Sequence, residues 1–276
     1  MLSTTKDILS EAVRGRYGVV GAHVGSGIEI DAAIEAAEEM RSPVILDIQL
    51  SELGICPEEF LKWAEVRCRV ASVPVALNLD DSKSESDMLA VIRMGARSII
   101  VNRSDCTFEQ NAELSKKAVA LAHETGISVE AELKGRGPDG QEDPLQLTTA
   151  EAAKIYASEV SPDCLAVAVR ITHEDGQPGI DFERLREIRS AVGDMPLALH
   201  GSLGIPVEEL SEACREGINK VNASKDLKAA ELKAILTNSS EEGIFTRNES
   251  VLDQIREGLK SRLKDLMTAF GSKDRA

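Results

Sequence analysis

Two adjacent carboxylates, Asp80 and Asp81, end the apolar stretch PVALNLDD. Alone they describe a strand running into a solvated turn, but other residues capable of chemistry recur at the ends of similar stretches. His173 follows DCLAVAVRIT and His200 ends PLALH, so two of only four histidines fall at such ends. Two imidazoles and a nearby carboxylate make a three-donor site with positions left open to water or substrate. That suits a catalytic zinc or similar divalent ion acting as a Lewis acid. The structural alternative has His200 capping a strand and His173 in a solvated turn. Glu130 and Glu132 alternate along ISVEAEL, and Glu142 stands in the loop beyond. In HGSLG (200–204), Gly201 and Gly204 flank Ser202 just before a helix expected near Pro206. Glycine permits close backbone approach, and free N–H groups at a helix start favour phosphate. NASKD (222–226) adds Asn222, Ser224 and the cationic Lys225. Of the other histidines, His123 sits near a helix end before Gly126, where an imidazole can cap carbonyls. His23, at a strand mouth, has two readings, a pocket-lining side chain and a buried, hydrogen-bonded one, of which the second is expected.

Eight short, mostly β-branched runs must position these groups: 17–24, 43–48, 74–80, 97–102, 127–133, 163–169, 196–200 and 218–223. Amphipathic segments such as 28–40, 107–125, 181–192 and 206–217 lie between them. Parallel strands need helical crossovers, and eight of them close without an edge, which predicts an α/β fold of the (β/α)8 or TIM-barrel type. A leading helix over roughly 3–13 and a C-terminal helical extension over roughly 248–270 are additions to that barrel. No low-complexity linker divides residues 1–276, so one domain is expected. Chemistry in such barrels sits at the C-terminal strand ends, and phosphate commonly binds after strands seven and eight. Those are the places where the residues above fall.

The 47 acidic and 32 basic residues give a formal charge of −15, which repels nucleic acid and anionic membrane surfaces. The sequence shows no leader, and no apolar run approaches the roughly 18 residues that span a bilayer, so a cytoplasmic protein is expected. The five cysteines are scattered without C-x-x-C spacing, which points to buried, reduced thiols rather than disulfides or a thiolate cage.

Taken together, SPVIL (42–46), SVPVALNLDD (72–81), FEQN (108–111), SVEAEL (128–133), GQED (140–143), LAVAV (165–169), DFERLREIR (181–189), LALHGSLG (197–204) and GINKVNASKDLK (217–228) resemble the class II, metal-dependent fructose- and tagatose-bisphosphate aldolases. The resemblance extends over nearly the whole chain. It implies a lyase that makes or breaks a carbon–carbon bond in a phosphorylated ketose through a metal-stabilised enediolate of dihydroxyacetone phosphate. Asp80 matches the acid that exchanges a proton with the aldehyde-derived hydroxyl, and Glu142 the base that removes a proton from dihydroxyacetone phosphate. His173 and His200 match metal ligands; with Asp81 and Glu132 they form the expected ligand set. Gly201, Ser202 and Asn222 match substrate-holding residues, joined by Ser224 and by Lys225, where a threonine is usual. The resemblance also implies a homodimer or homotetramer acting on a small phosphorylated sugar or related carbonyl compound.

Departures from the family pattern bear on the metal. Asp81 replaces a ligand histidine, which keeps zinc as the first expectation but opens manganese, or no metal at all, as alternatives. Glu174 and Asp175 follow His173 where glycine is usual, Arg103 and Asp105 alter the pocket rim, and His23-Val24 replaces Phe-Asn. The competing expectation is a non-catalytic homologue that binds a small anion or a protein partner.

Overall fold

The computed structural model describes residues 1–50, 53, 57–80, 85–102, 106–133, 147–238 and 248–276. Asp81 and Glu142 lie outside these residues, as do Arg103 and Asp105. Eight parallel strands form a closed ring: β2 (Val19–His23), β3 (Val44–Ile48), β4 (Val75–Asp80), β5 (Ser98–Asn102), β6 (Ser128–Leu133), β7 (Cys164–Val167), β10 (Leu197–Leu199) and β11 (Ile218–Ala223). Pairing of β4 with β5 and of β11 with β2 closes it. The crossovers carry α2 (Gly27–Met40), α3 (Pro57–Val70), α4 (Glu85–Arg93), α5 (Phe108–Glu124), α6 (Ala150–Val160), α7 (Phe182–Val192), α8 (Val207–Arg215) and α9 (Lys225–Asn238). The expected additions are α1 (Thr5–Gly15) and α10 (Asn248–Ala269). Two elements were not expected. A two-residue strand, β1 (Leu2–Ser3), lies parallel to β4 at Val75 and Ala76. An antiparallel hairpin, β8 (Arg170–Thr172) with β9 (Pro178–Ile180), rises beyond the mouth of β7. Among the described residues, no helix is long and apolar enough to cross a membrane.

Strand alternation sorts the barrel interior into layers. At the N-terminal end Val19, Ile45, Ala76, Cys164, Ala166 and Ala198 form an apolar floor, closed from below by Ile8, Leu9 and Ala12 of α1. The spacing of those three residues gives α1 one apolar stripe, and each fully buried Ile or Leu contributes about 1.5–3 kcal/mol. Above the floor the interior turns charged. Lys220 is fully buried, with Nζ donating to Asp47 Oδ1 at 2.9 Å and to Glu130 Oε2 at 2.7 Å, while Asn78 Nδ2 donates to Asp47 Oδ1 at 2.8 Å. This layer needs Gly21 beside it, since a Cβ there would meet Asp47 Oδ2 at 2.5 Å and Lys220 Cε at 2.8 Å.

Outside the barrel, α10 packs on α2 and α9 and buries Leu259, Leu263, Leu266 and Met267. Cys68, Cys164 and Cys214 are buried and Cys106 is partly so; burial pushes the Cys68 thiol up to about 12. His123 does not cap its helix: Nε2 lies 2.8 Å from Asp163 Oδ2, an oxygen that also accepts from Val129 N at 2.8 Å. The partner is 40 residues away, so local spacing could not reveal it. Lys6 Nζ pairs with the other oxygen of Asp163 at 2.9 Å.

Burial pushes the Asp163 carboxyl up, but Lys6, the Val129 N–H and His123 outweigh it and hold the pKa below the ordinary value. A carboxylate depressed by folding contributes stability above its unfolded pKa, and loses that contribution as pH falls through the folded value. Asp163→Asn is therefore expected to lower the thermal midpoint at neutral pH and to flatten the decline below about pH 4. Melting curves across that range check this; a variant with the wild-type slope would contradict it.

Candidate functional site

The charged layer supports a cavity of about 280 Å³ at the C-terminal strand ends. One wall is acidic, with Asp47 from β3 and Asp80 at the end of β4. Facing groups come from the loops after β7, β10 and β11: Arg170, the Gly201–Leu203 backbone and Lys225. His23, His200, Asn222 and Ser224 complete the polar lining. Of the residues singled out from sequence, Asp80, His200, Gly201, Ser202, Asn222, Ser224 and Lys225 meet here.

Burial, reinforced by the charge of Asp47, pushes Asp80 up to about 6. A carboxyl that exchanges its proton near neutrality is suited to general acid–base work. Deeper in, burial disfavours both Asp47 and Glu130. The Lys220 ammonium and His200 hold Glu130 down to about 2, whereas Asp47, with the Glu130 charge against it, ends up raised. Burial would also neutralise Lys220, but its two carboxylate partners raise its pKa and keep it an ammonium. An ammonium is no nucleophile, so this buried lysine is an electrostatic strut rather than a Schiff-base former.

His200 Nε2 lies 2.6 Å from Glu130 Oε1. An ionised carboxylate only accepts, so Nε2 carries the proton and donates it. The other nitrogen, Nδ1, lies 3.8 Å from Glu132 Oε1. Burial alone would lower the His200 pKa, but the bond to Glu130 and the charges of Glu130 and Glu132 raise it. A carboxylate holding the remote N–H of an imidazole is the usual support for a metal-binding histidine. Two donors of one zinc ion, each at about 2.0–2.2 Å, stand roughly 3–4 Å apart, so His200 Nδ1 and Glu132 Oε1 fit two positions of a divalent ion. The backbone beneath Glu132 is fixed, because its carbonyl accepts from Asn111 Nδ2 at 3.1 Å and Asn111 Oδ1 in turn accepts from Tyr156 OH at 2.8 Å.

His173 is placed elsewhere. It sits in the β8–β9 hairpin with Nε2 3.1 Å from Glu209 Oε1 on α8, and the other oxygen of Glu209 accepts from Ile180 N at 3.0 Å. A Cβ at residue 179 would come within 1.9 Å of His173 Nε2, so Gly179 is what lets the ring lie across the hairpin. In this conformation His173 is outside the cavity lining. Among the described residues no three His, Cys, Asp or Glu side chains converge on one ion.

The glycine-rich loop is built for close approach. Gly201 and Gly204 adopt φ of 76° and 82°, a region that strains any side chain. Ser202 is buried, its Oγ lying 2.9 Å from Asn222 O and 2.7 Å from Asp226 Oδ2, so its hydroxyl ties this loop to the start of α9. Ser224 Oγ lies 3.2 Å from His23 Nδ1, which makes His23 both hydrogen-bonded and part of the cavity wall. Among the described residues Asp47 Oδ2 and Asn222 Oδ1 are buried acceptors without a protein donor, and both residues line the cavity. Such acceptors suit the hydroxyls of a polyol.

Asp47, Gln49, Lys220 and Arg170 were not singled out from sequence. A signal existed for two of them: Asp47 and Lys220 interrupt apolar strands at inward-facing positions, where an unpaired charge would be prohibitive.

Comparison with known proteins agrees with this architecture. Residues 3–275 match the family model described as fructose-bisphosphate aldolase class-II. The chain is 33% identical over 309 aligned positions to a fructose-bisphosphate aldolase of Thermus caldophilus, with all of both chains covered. It is 30% identical over 286 positions to one of Geobacillus stearothermophilus, covering 100% of this chain and 99% of that one. Among solved structures, the YdjI aldolase from Escherichia coli K12 superposes with a TM-score of 0.86 at 27% identity, both chains fully covered. With the barrel, the cavity at its C-terminal mouth and these full-length similarities in agreement, the chain belongs to the class II fructose-bisphosphate aldolase family.

Proposed function

We propose that the protein is a class II aldolase-type lyase that makes or breaks a carbon–carbon bond in a small phosphorylated ketose, with dihydroxyacetone phosphate as the shared fragment. The observation that carries this is the division of one cavity into a cationic wall suited to phosphate and an acidic wall bearing Asp80, whose pKa of about 6 suits proton exchange. Arg170 and Lys225 place the phosphate, and Asn222 and Asp47 accept the substrate hydroxyls. By its match to the family pattern, Glu142 removes the C3 proton of dihydroxyacetone phosphate. Asp80 then donates a proton to the alkoxide formed from the aldehyde, and takes it back in the cleavage direction. A divalent ion, zinc or the harder manganese, would be held by His200, Glu132 and Asp81, with His173 joining once its ring leaves Glu209, and would polarise the substrate ketone. By the same analogy the protein assembles as a homodimer or homotetramer, and it works in the cytoplasm.

The test is cleavage of a panel of ketose 1-phosphates and bisphosphates by zinc- or manganese-loaded protein, with dihydroxyacetone phosphate detected enzymatically. Turnover of at least one ketose is expected, and none with any metal-loaded sample would contradict the proposal. A second reading, a non-catalytic anion-binding homologue, is favoured by one observation, the turning of His173 toward Glu209. Asp81→His separates the two. Under the first reading it strengthens metal binding and leaves turnover present; under the second it gives neither.

A further inference from the structure

We propose that Asp47 is a specificity-determining residue, which with Asn222 receives neighbouring hydroxyls of the aldehyde half of the substrate and so selects an aldehyde that carries hydroxyls and no phosphate. The inference deepens the function proposed above and rests on it, since it makes the substrate a ketose with one phosphate instead of two. Asp47 is 1% exposed and lines the cavity, yet its Oδ2 has no donor among the described residues, whereas Oδ1 is taken by Lys220 Nζ and Asn78 Nδ2. Asn222 Oδ1 is in the same state as Oδ2. The two oxygens flank the gap that Gly21 leaves, where a Cβ would stand 2.5 Å from Asp47 Oδ2 and 2.9 Å from Asn222 Oδ1. Two acceptors facing one gap call for two hydrogens, and a 1,2-diol supplies one from each of two adjacent carbons. A phosphate dianion offers only acceptor oxygens, and its charge stands against that of Asp47.

The strand register assigns Asp47 to the aldehyde half. β3 and β4 pair with Asp47 opposite Asn78, two residues before Asp80, so Asp47 and Asp80 face the cavity from one wall. Asp80 is the group that exchanges a proton with the aldehyde-derived hydroxyl in the function proposed above. Gln49, two residues beyond Asp47, also lines the cavity and adds a neutral amide. The phosphate of the other half is drawn away from this wall, toward the loops after β7, β10 and β11. Among the described residues the aldehyde therefore meets two carboxylates and an amide, a lining that receives hydroxyl donors and repels a second dianion. A site built to bond a hydroxyl rejects an analogue without one, because its buried acceptors are then left unpaired.

Condensation of dihydroxyacetone phosphate with three aldehydes by the metal-loaded full chain tests the proposal. The aldehydes are racemic glyceraldehyde, its 3-phosphate, and 3-hydroxypropanal, which lacks the inner hydroxyl. The kcat/KM for glyceraldehyde is expected to exceed that for each of the other two by about tenfold or more, the worth of one hydrogen bond to a charged group. Asp47→Asn keeps an oxygen for Lys220 but turns the free position into an amide donor, and is expected to shrink the preference over the 3-phosphate by about tenfold. Each preference is a ratio read on one sample, so a loss of folded protein cancels; should Asp47→Asn not fold at all, the two wild-type ratios decide. Wild-type protein that prefers the 3-phosphate, or that is indifferent to the inner hydroxyl, overturns the proposal and leaves the aldolase function standing. Folded Asp47→Asn with the wild-type ratios does the same. Wild-type protein that condenses dihydroxyacetone phosphate with none of the three overturns the aldolase function, and this proposal with it.

Discussion

Lys220→Met is expected to cost about 3–5 kcal/mol of folding stability, the range for breaking a buried ion pair by removing one partner. Methionine nearly matches lysine in length, so little cavity forms and the loss is electrostatic in origin. The ammonium lies 2.9 Å from Asp47 Oδ1 and 2.7 Å from Glu130 Oε2, and all three side chains are shut away from water. Without it, two carboxylates face each other in the barrel interior with, among the described residues, only Asn78 and His200 to satisfy them. Urea unfolding at neutral pH measures the effect. Lys220→Met combined with Glu130→Gln is expected to recover part of it, because one of the stranded charges is removed. A single variant within about 1 kcal/mol of wild type would show that the layer is not held together by this cation. The consequence reaches the site, since Glu130 also fixes His200 and thereby the direction of its Nδ1.

The second large effect is on turnover. Asp80→Asn keeps the shape of the side chain but removes its proton exchange, and is expected to lower kcat on the order of 10²- to 10⁴-fold with little change in KM. Stability should not fall with it. Burial and the charge of Asp47 already disfavour the Asp80 carboxylate, so a neutral amide in its place relieves the folded state. Steady-state kinetics with a thermal melt of the same sample separate the two readouts. A kcat within tenfold of wild type would remove Asp80 from the proton-transfer role.

The barrel was legible in the sequence because its elements are specified locally. Runs such as PVILDI and PVALNLD carry their own alternation and turn signals, and α1 and α10 carry their own apolar stripes. The β8–β9 hairpin was not legible. Its strands have three residues each, Arg170 and Thr172 face solvent, and no apolar period marks them. Within the site, residues attached directly to strand ends could be placed from sequence, which is why Asp80, His200 and Asn222 meet in one cavity. The direction of His173 could not, since it depends on Glu209, 36 residues away on another helix. The same holds for Lys220, whose partners Asp47 and Glu130 are separated from it by 173 and 90 residues. Arg170 likewise owes its place to acceptors distant in the chain, the carbonyls of Gly201 and Leu203, 31 and 33 residues away.

Proton exchange into dihydroxyacetone phosphate tests the central claim most directly. Metal-loaded protein and dihydroxyacetone phosphate are mixed in deuterated buffer, and one C3 proton is followed by NMR. Exchange well above the protein-free rate is expected. It should persist in Asp80→Asn, which acts only after carbon–carbon bond formation begins, and vanish in Glu142→Gln. Wild-type protein that exchanges no faster than buffer, with zinc or manganese bound, would contradict aldolase chemistry in this cavity.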